Sequence, residues 1–189
     1  MKVIAALFLI FWLFVPEVLA RESSYMVTLA APKNIAQGIG IADFCAARAS
    51  LCEESLPQTL ELSEKMLALL VGVQQRVNRT ISYKHDSSGQ KNEWHDDRTV
   101  GDCKDYVATK WSELVEAGVP RGVFSIAIVK VGGALHAVLV VRTDRGDYIL
   151  DSRRRGIERW EQVQEYTWLF RSKPGAPLVW EFIGKPVKE

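Results

Sequence analysis

The run from Cys103 to Ala117 constrains the fold most, because it is amphipathic at helical spacing and has both a start and a stop signal. Asp102 is a favourable N-cap, and Asp105 three residues later closes an imperfect capping box. Gly118 and Pro120 end the helix. The cysteine that begins the run is therefore expected in the first helical turn, where free N–H groups and the helix dipole favour an anion.

Three runs after this helix are predicted to be β-strands, because they are rich in Val, Ile and Leu and are bounded by glycine or charged turn residues. They are Gly122–Val131, Leu135–Arg142 and Asp147–Asp151. Gly132-Gly133 between the first two runs is typical of a tight hairpin.

The loop from Thr143 to Gly146 sets the register between the second and third strands. If this loop has four residues, Arg142 lies opposite Asp147 as a favourable charge pair. His136 and Asp151 are then diagonal neighbours on one face, within reach of each other's side chains. A three-residue loop with a bulge at its final glycine would put them on opposite faces.

Cys103, His136 and Asp151 are the residue types of a thiol-nucleophile hydrolase or acyltransferase. In that interpretation His136 takes the thiol proton and later gives it to the leaving amine, and Asp151 orients the imidazole. The backbone N–H of Cys103 is a natural oxyanion-hole donor. Taken singly, His136 could instead be a core histidine and Asp151 a turn former.

Trp94 precedes the cysteine by only nine residues, so it is a candidate to line the active-site cleft. Two interpretations stay open: its ring covers the active site, or it anchors the core. The second oxyanion donor is either Trp94 or a backbone amide of its loop.

The other two cysteines, Cys45 and Cys52, are close in sequence and are predicted to form a disulfide. Residues 1–20 resemble an export signal, with Lys2, a continuous apolar stretch and a small-residue cleavage site ending at Ala20. Export implies an oxidising compartment, in which such a disulfide persists. Cys103 is then left unpaired.

Charge and composition indicate one soluble domain after removal of the signal. The 24 basic and 23 acidic residues almost balance, and Arg153–Arg155 is the main basic cluster, so a nucleic-acid partner is not expected. Apart from the signal, no segment is apolar enough to insert stably in a membrane. We predict an N-terminal arm over 21–55, extended or looped through residue 43, and a domain over 56–189.

Helices and strands are segregated along the chain, which favours an α+β fold. A first helix is predicted over Pro57–Val77, from apolar residues at helical spacing. Two further strands are predicted over Tyr166–Phe170 and Leu178–Ile183, the first from its alternating pattern.

These patterns together resemble the bacterial transglutaminase-like cysteine peptidases over roughly residues 40–180. The resemblance is carried mainly by Gly101–Val107, Lys110, His136–Val141 and Gly146–Asp151, and also by Phe44, Cys45, Cys52, Val77, Asn78, Ile81, Tyr83 and Trp160. It implies a papain-like, transglutaminase-type core in which the helix bearing Cys103 packs on an antiparallel sheet. It also implies the periplasm of a Gram-negative bacterium, and a protein or peptide substrate such as a cell-surface adhesin.

Two residues depart from the pattern of that family. Its calcium-dependent members have an acidic residue directly after the cysteine, where this chain has Lys104. Asp102 and Asp105 remain candidate calcium ligands, but a lysine between them removes an oxygen ligand and adds positive charge, which argues against calcium. Ser152 replaces the asparagine that commonly follows the aspartate. No cofactor is therefore expected to be required.

The leading interpretation is an exported cysteine peptidase that works through a thioester acyl-enzyme. A transamidase or deamidase would use the same three residues and differ only in the nucleophile that resolves the thioester. A non-catalytic protein-binding module is the alternative from another class, although it would have no chemical reason to keep all three residues.

Overall fold

The computed structural model describes residues 25–31, 34–85 and 92–184. The helices are α1 (Ile35–Gly38), α2 (Ile41–Ala47), α3 (Ala49–Cys52), α4 (Glu64–Thr80) and α5 (Cys103–Glu116). The strands are β1 (Thr28–Ala30), β2 (Ser82–Tyr83), β3 (Val100–Gly101), β4 (Phe124–Val131), β5 (Ala134–Thr143), β6 (Gly146–Leu150), β7 (Glu158–Arg159), β8 (Thr167–Lys173) and β9 (Ala176–Ile183). The predicted export signal lies outside the described residues. In the ranges described, no helix is both long and apolar enough to cross a membrane.

An antiparallel sheet of seven strands, in the order β1-β9-β8-β4-β5-β6-β7, forms the centre of the fold. β2 and β3 form a separate parallel pair beside the start of α5. The predicted α+β class, with a helix packed on an antiparallel sheet, is confirmed. The strands predicted near residues 166 and 178 correspond to β8 and β9.

Strand β5 separates two hydrophobic cores. Ala137, Leu139 and Val141 face the larger core, which includes α4 and α5, and α5 packs directly against β5. Val138 and Val140 point to the opposite face, as alternation along a strand requires, and lie in the smaller core. A buried strand at this place explains the nearly continuous apolar run after His136.

The hairpin predicted at Gly132-Gly133 is present, and the hairpin between β5 and β6 has the predicted register. Gly132 and Gly133 both have positive φ, at 57° and 89°, as a type I′ turn requires. Between β5 and β6, Arg142 pairs with Asp147, and the pairing continues to Thr143 opposite Gly146. The register is the expected one, although the extra pair shortens the loop to two residues.

The helix predicted over Pro57–Val77 begins later than expected. The Ser63 hydroxyl caps α4 by accepting from the backbone N–H of Met66 at 3.3 Å. The preceding residues are extended instead, and the Leu60 N–H donates to the Arg142 carbonyl at 3.0 Å. Leu60 is therefore buried beside the end of β5, and its spacing from Leu67 gave a false helical signal.

The N-terminal arm also differs from the expectation, because its residues up to 43 are not simply extended. They contain β1, which pairs with β9, and they lead into α2. Phe44 of α2 lies in the larger core. The predicted disulfide joins Cys45 of α2 to Cys52 of α3, with a Cα–Cα distance of 5.3 Å. The division of the chain into 21–55 and 56–189 stays a prediction.

Candidate active site

Cys103 is the first residue of α5, and the turn before it is held by the predicted capping box. One Asp102 carboxylate oxygen accepts the Lys104 N–H at 3.0 Å, and Asp105 accepts the Asp102 N–H at 2.9 Å. A Cβ on Gly101 would come within 2.2 Å of that Asp105 oxygen, so the close approach requires glycine. Cys103 is a half-buried free thiol, and its N–H has no acceptor within the helix.

His136 lies near the start of β5, beyond the last residue pair that β5 makes with β6, which is Leu139 with Leu150. This end of the strand is therefore not covered by β6. The imidazole Nε2 lies 2.7 Å from Asp151 Oδ1, and Cys103 is close enough to the same ring to raise the pKa of His136. Since Nε2 is engaged by Asp151, Nδ1 is the nitrogen left for the sulfur. The structure thus brings the three predicted residues together around one imidazole.

Asp151 follows β6 and is completely buried, so its carboxylate depends on protein donors. Besides the contact with His136, Oδ1 accepts the Arg153 N–H at 2.9 Å. The Tyr166 hydroxyl donates to Oδ2 at 2.5 Å. Burial raises the pKa of Tyr166, and the adjacent Asp151 raises it further, so the phenol stays a proton donor. Each carboxylate oxygen is therefore satisfied.

The electrostatics favour an ionised histidine–aspartate pair. Burial acts to lower the pKa of His136, but the hydrogen bonds and charges of Asp151 and Cys103 outweigh it and raise the pKa to about 9. Burial acts to raise the pKa of Asp151, yet the contacts with His136, the Arg153 N–H and Tyr166 leave it below its ordinary value. Both directions describe the same imidazolium–carboxylate pair, which is present at neutral pH.

Two polar side chains of α4 hold the turn after Asp151, and sequence reasoning missed this role. Gln74 is fully buried, and its amide donates to the carbonyls of Asp151 and Arg154, both at 2.7 Å. Asn78, one helical turn later, donates to the same carbonyls at 3.0 and 2.8 Å. The available signal was two amides spaced i, i+4 beside the apolar stripe of the helix.

Lys110 is a charged group to which the sequence assigned no role. It is fully buried in α5, and its ammonium has no hydrogen-bond partner among the described residues. The Nζ lies 5.8 Å from the centre of the Tyr106 ring. Burial lowers the pKa of Lys110 to about 7, although the negative charge of Asp151 opposes the change.

Trp94 is in the larger core, with only 4% of its surface exposed. Its indole N–H donates to the Ile39 carbonyl at 2.7 Å. This donor is therefore engaged with the Ile39 carbonyl and is not free for an oxyanion, while the prediction that the Trp94 ring covers the cleft stays a prediction. The alternative prediction, a core anchor, agrees with these contacts.

Asp102 and Asp105 do not fit a calcium site as they stand. The Lys104 ammonium lies 2.5 Å from Asp102 Oδ2, and both side chains are over 90% buried. Asp105 accepts the backbone N–H groups of Asp102 and His95, both at 2.9 Å. A cation would have to displace these donors and would meet the lysine charge. The described ranges contain no cluster of three or more His, Cys, Asp or Glu residues suited to a metal.

The model of the bacterial transglutaminase-like cysteine proteinases (BTLCP) matches residues 32–187. The chain belongs to this family. It is therefore a cysteine protease, and the predicted resemblance is confirmed. No significant match to the chain was found among curated protein sequences.

Solved structures of Legionella pneumophila LapG have a similar fold. The calcium-bound form has a TM-score of 0.52 and 20% identity, over 64% of this chain and 72% of LapG. The EGTA-treated form has a TM-score of 0.51 and 20% identity, over 81% of this chain and 83% of LapG. At this level of identity the similarity supports the transglutaminase-like fold and does not transfer the calcium of the first structure to this BTLCP chain.

Proposed function

We propose that this BTLCP protein is an exported peptidase in which Cys103, His136 and Asp151 form the catalytic triad. The observation that carries the proposal is the environment of one imidazole, with Asp151 at 2.7 Å from Nε2 and Cys103 close enough to raise the pKa of His136. An imidazole beside a cysteine can take the thiol proton as the sulfur attacks, which is how a thiol nucleophile is activated.

The reaction follows from these contacts. The sulfur attacks the substrate carbonyl carbon and forms a C–S bond, and the His136 imidazolium then gives its proton to the amine as the C–N bond breaks. Water next attacks the thioester, His136 accepts a proton from it, and the C–S bond breaks to release the acid. Asp151 keeps the imidazole oriented through both steps.

The Cys103 N–H stabilises the oxyanion that forms in each step. It projects from the first turn of α5, where the helix dipole adds a favourable field. The second donor comes from a backbone amide, because the Trp94 indole is engaged with Ile39.

Calcium is not needed for this reaction. The Lys104 ammonium occupies the Asp102 carboxylate and supplies a positive charge there, within the buried turn that precedes the cysteine. We expect neither EGTA nor added calcium to change the rate or the melting temperature of the wild-type protein. A calcium-dependent rise in melting temperature would contradict this part of the proposal.

The protein acts outside the cytoplasm, in the periplasm of a Gram-negative bacterium. The signal-like residues 1–20 and the Cys45–Cys52 disulfide support this location. Cell fractionation of the full-length chain, with detection of the residue that follows Ala20 as the mature N-terminus, tests it. An uncleaved chain in the cytoplasm would contradict it.

Digestion of a random peptide library in ¹⁸O-labelled water tests the activity itself. We expect the wild-type protein to release products with ¹⁸O in their new carboxyl termini, and Cys103→Ala and the nearly isosteric Cys103→Ser to release none. Products that carry an added amine in place of ¹⁸O would show a transamidase. No product together with slow alkylation of Cys103 would show a binding module.

A further inference from the structure

A groove lined by four arginines lies directly beside the Asp151 turn. It has a volume of about 510 Å³, and its wall includes Gln75, Arg79, Ser152, Arg153, Arg154 and Arg155. The chain as a whole has a formal net charge of only +1, so this concentration of positive charge is local. Such a concentration attracts anionic groups.

Three of the four guanidinium groups are free to bind a ligand. Arg79, Arg153 and Arg155 are exposed, and no ion pair to them is found in the described ranges of the chain. Arg154 differs, since it pairs with Glu158 at 2.5 Å and also with Glu165. The groove therefore presents positive charge that the protein itself does not neutralise.

The helix that lines the groove leads to the neighbourhood of the thiol. Asn78 of α4 holds the Asp151 turn, and Arg79 is the next residue of the same helix. Four residues further on, Tyr83 pairs with Gly101, two residues before Cys103. Burial and the nearby Cys103 and Asp102 raise the pKa of Tyr83, while Arg153 opposes the change. The exposed Tyr83 is therefore close to both the thiol and the arginine turn.

We propose that this groove binds acidic side chains of the protein substrate, on one side of the bond that Cys103 cleaves. The assignment rests on the proposed peptidase function and adds a substrate class to it. A carboxylate is the group that guanidinium donors recognise with two parallel hydrogen bonds. A polypeptide that lies along Tyr83 would present such a side chain to Arg79, Arg153 and Arg155 while its backbone passes Cys103.

Binding to the full mature Cys103→Ala protein tests the groove without any need for turnover. The probes are two random peptide pools of equal length, one with Asp and Glu and the other with Asn and Gln at the same frequency, and neither contains Lys or Arg. We expect the acidic pool to bind about fivefold more tightly at low salt and the difference to shrink as salt is added. We expect each of Arg79→Gln, Arg153→Gln and Arg155→Gln to reduce the preference about twofold.

Arg145→Gln is the matched control, because Arg145 is exposed in the turn at the opposite end of β6 from Asp151. It removes the same charge and should leave the preference unchanged. Equal binding of the two pools would overturn the proposal, and so would an equal loss of preference in Arg145→Gln.

The cleavage of both pools by wild-type protein separates this proposal from the peptidase proposal. If both pools are cleaved at equal rates and bind equally, the groove assignment is wrong and the peptidase function stands. If neither pool is cleaved while the acidic pool still binds through the arginines, the anionic site stands and the peptidase function is wrong.

Discussion

Replacing Asp151 with Asn in a Cys103→Ala background isolates the effect of burial on His136. In the wild-type protein, Asp151 and Cys103 together overcome burial and raise the pKa of His136 from 6.5 to about 9. The double variant lacks both the carboxylate charge and the thiol, but it keeps the size of residue 151. Burial alone then acts on the imidazole, so its pKa should lie below 6.5.

The expected fall is therefore more than about 2.5 pKa units, or roughly 3 kcal/mol in the free energy that favours the imidazolium. NMR titration of protein with isotope-labelled histidine measures this directly. The chain has three histidines, and single substitutions of His85 and His95 assign the third signal. Asp144→Asn is the control. It removes the same charge as Asp151→Asn, but Asp144 lies in the turn at the opposite end of β6.

Two results would refute this reasoning. A wild-type His136 that titrates at or below 6.5 would mean that Asp151 and Cys103 do not overcome burial. A double variant that still titrates near 9 would mean that another group raises the pKa. Asp144→Asn should leave the titration of His136 almost unchanged, because the carboxylate of Asp144 does not contact the imidazole.

The remaining predictions concern the groups around the triad. Tyr166→Phe removes the hydroxyl that donates to Asp151 at 2.5 Å, so it should cost about 2 kcal/mol in the free energy of unfolding measured with urea. Tyr83→Phe, at an exposed position, is the control. Equal stability of the two variants would contradict the role of Tyr166. Gln74→Met leaves buried carbonyls of the Asp151 turn with fewer donors, so it should cost about 2 kcal/mol in the free energy of unfolding and lower kcat more than it changes KM. Lys65→Met, at an exposed position of α4 that does not line the arginine groove, should do neither. Lys110→Met should raise the free energy of unfolding by roughly 4 kcal/mol at pH 7. The pKa of Lys110 in the folded protein, about 7, is below its ordinary value of 10.5. Between pH 7 and pH 10.5 the unfolded chain therefore binds more protons than the folded one, and the stability of the wild-type protein rises with pH. The advantage of Lys110→Met should therefore shrink as the pH rises toward 10.5, and a constant advantage would show that charge is not its cause.

The parts of the fold that sequence predicted were those with strong local signals. The capping box at Asp102 and the glycine pair at 132–133 need only neighbouring residues to form. The shared face of His136 and Asp151 followed from the pairing of Arg142 with Asp147, which short-range turn geometry sets. The last feature places the imidazole beside the carboxylate, and the first places Cys103 at the start of α5.

The parts that could not be predicted depend on contacts between distant segments. Tyr166 is 15 residues from Asp151, and its hydroxyl reaches the carboxylate only because of where the chain enters β8. A tyrosine next to a strand is equally typical of a core without function. Trp94 was ambiguous for the same reason, since its partner Ile39 is 55 residues away. The start of α4 at Glu64 was not predicted because Leu60, which lies beside the end of β5, has helical spacing from Leu67.

The turn after Asp151 belongs both to the proposed catalytic site and to the proposed binding groove. Buried hydrogen bonds hold its aspartate, so the two functions can be changed separately. Gln74 and Asn78 fix the backbone carbonyl of Asp151, while His136 and Tyr166 bind its carboxylate. The guanidinium of Arg153 extends from the same turn into solvent and contributes only its backbone N–H to Asp151. A substrate carboxylate can therefore neutralise the arginine without moving the aspartate. Substitution of the exposed arginines should change which peptides bind, whereas substitution of the buried amides should change how fast every peptide is cleaved.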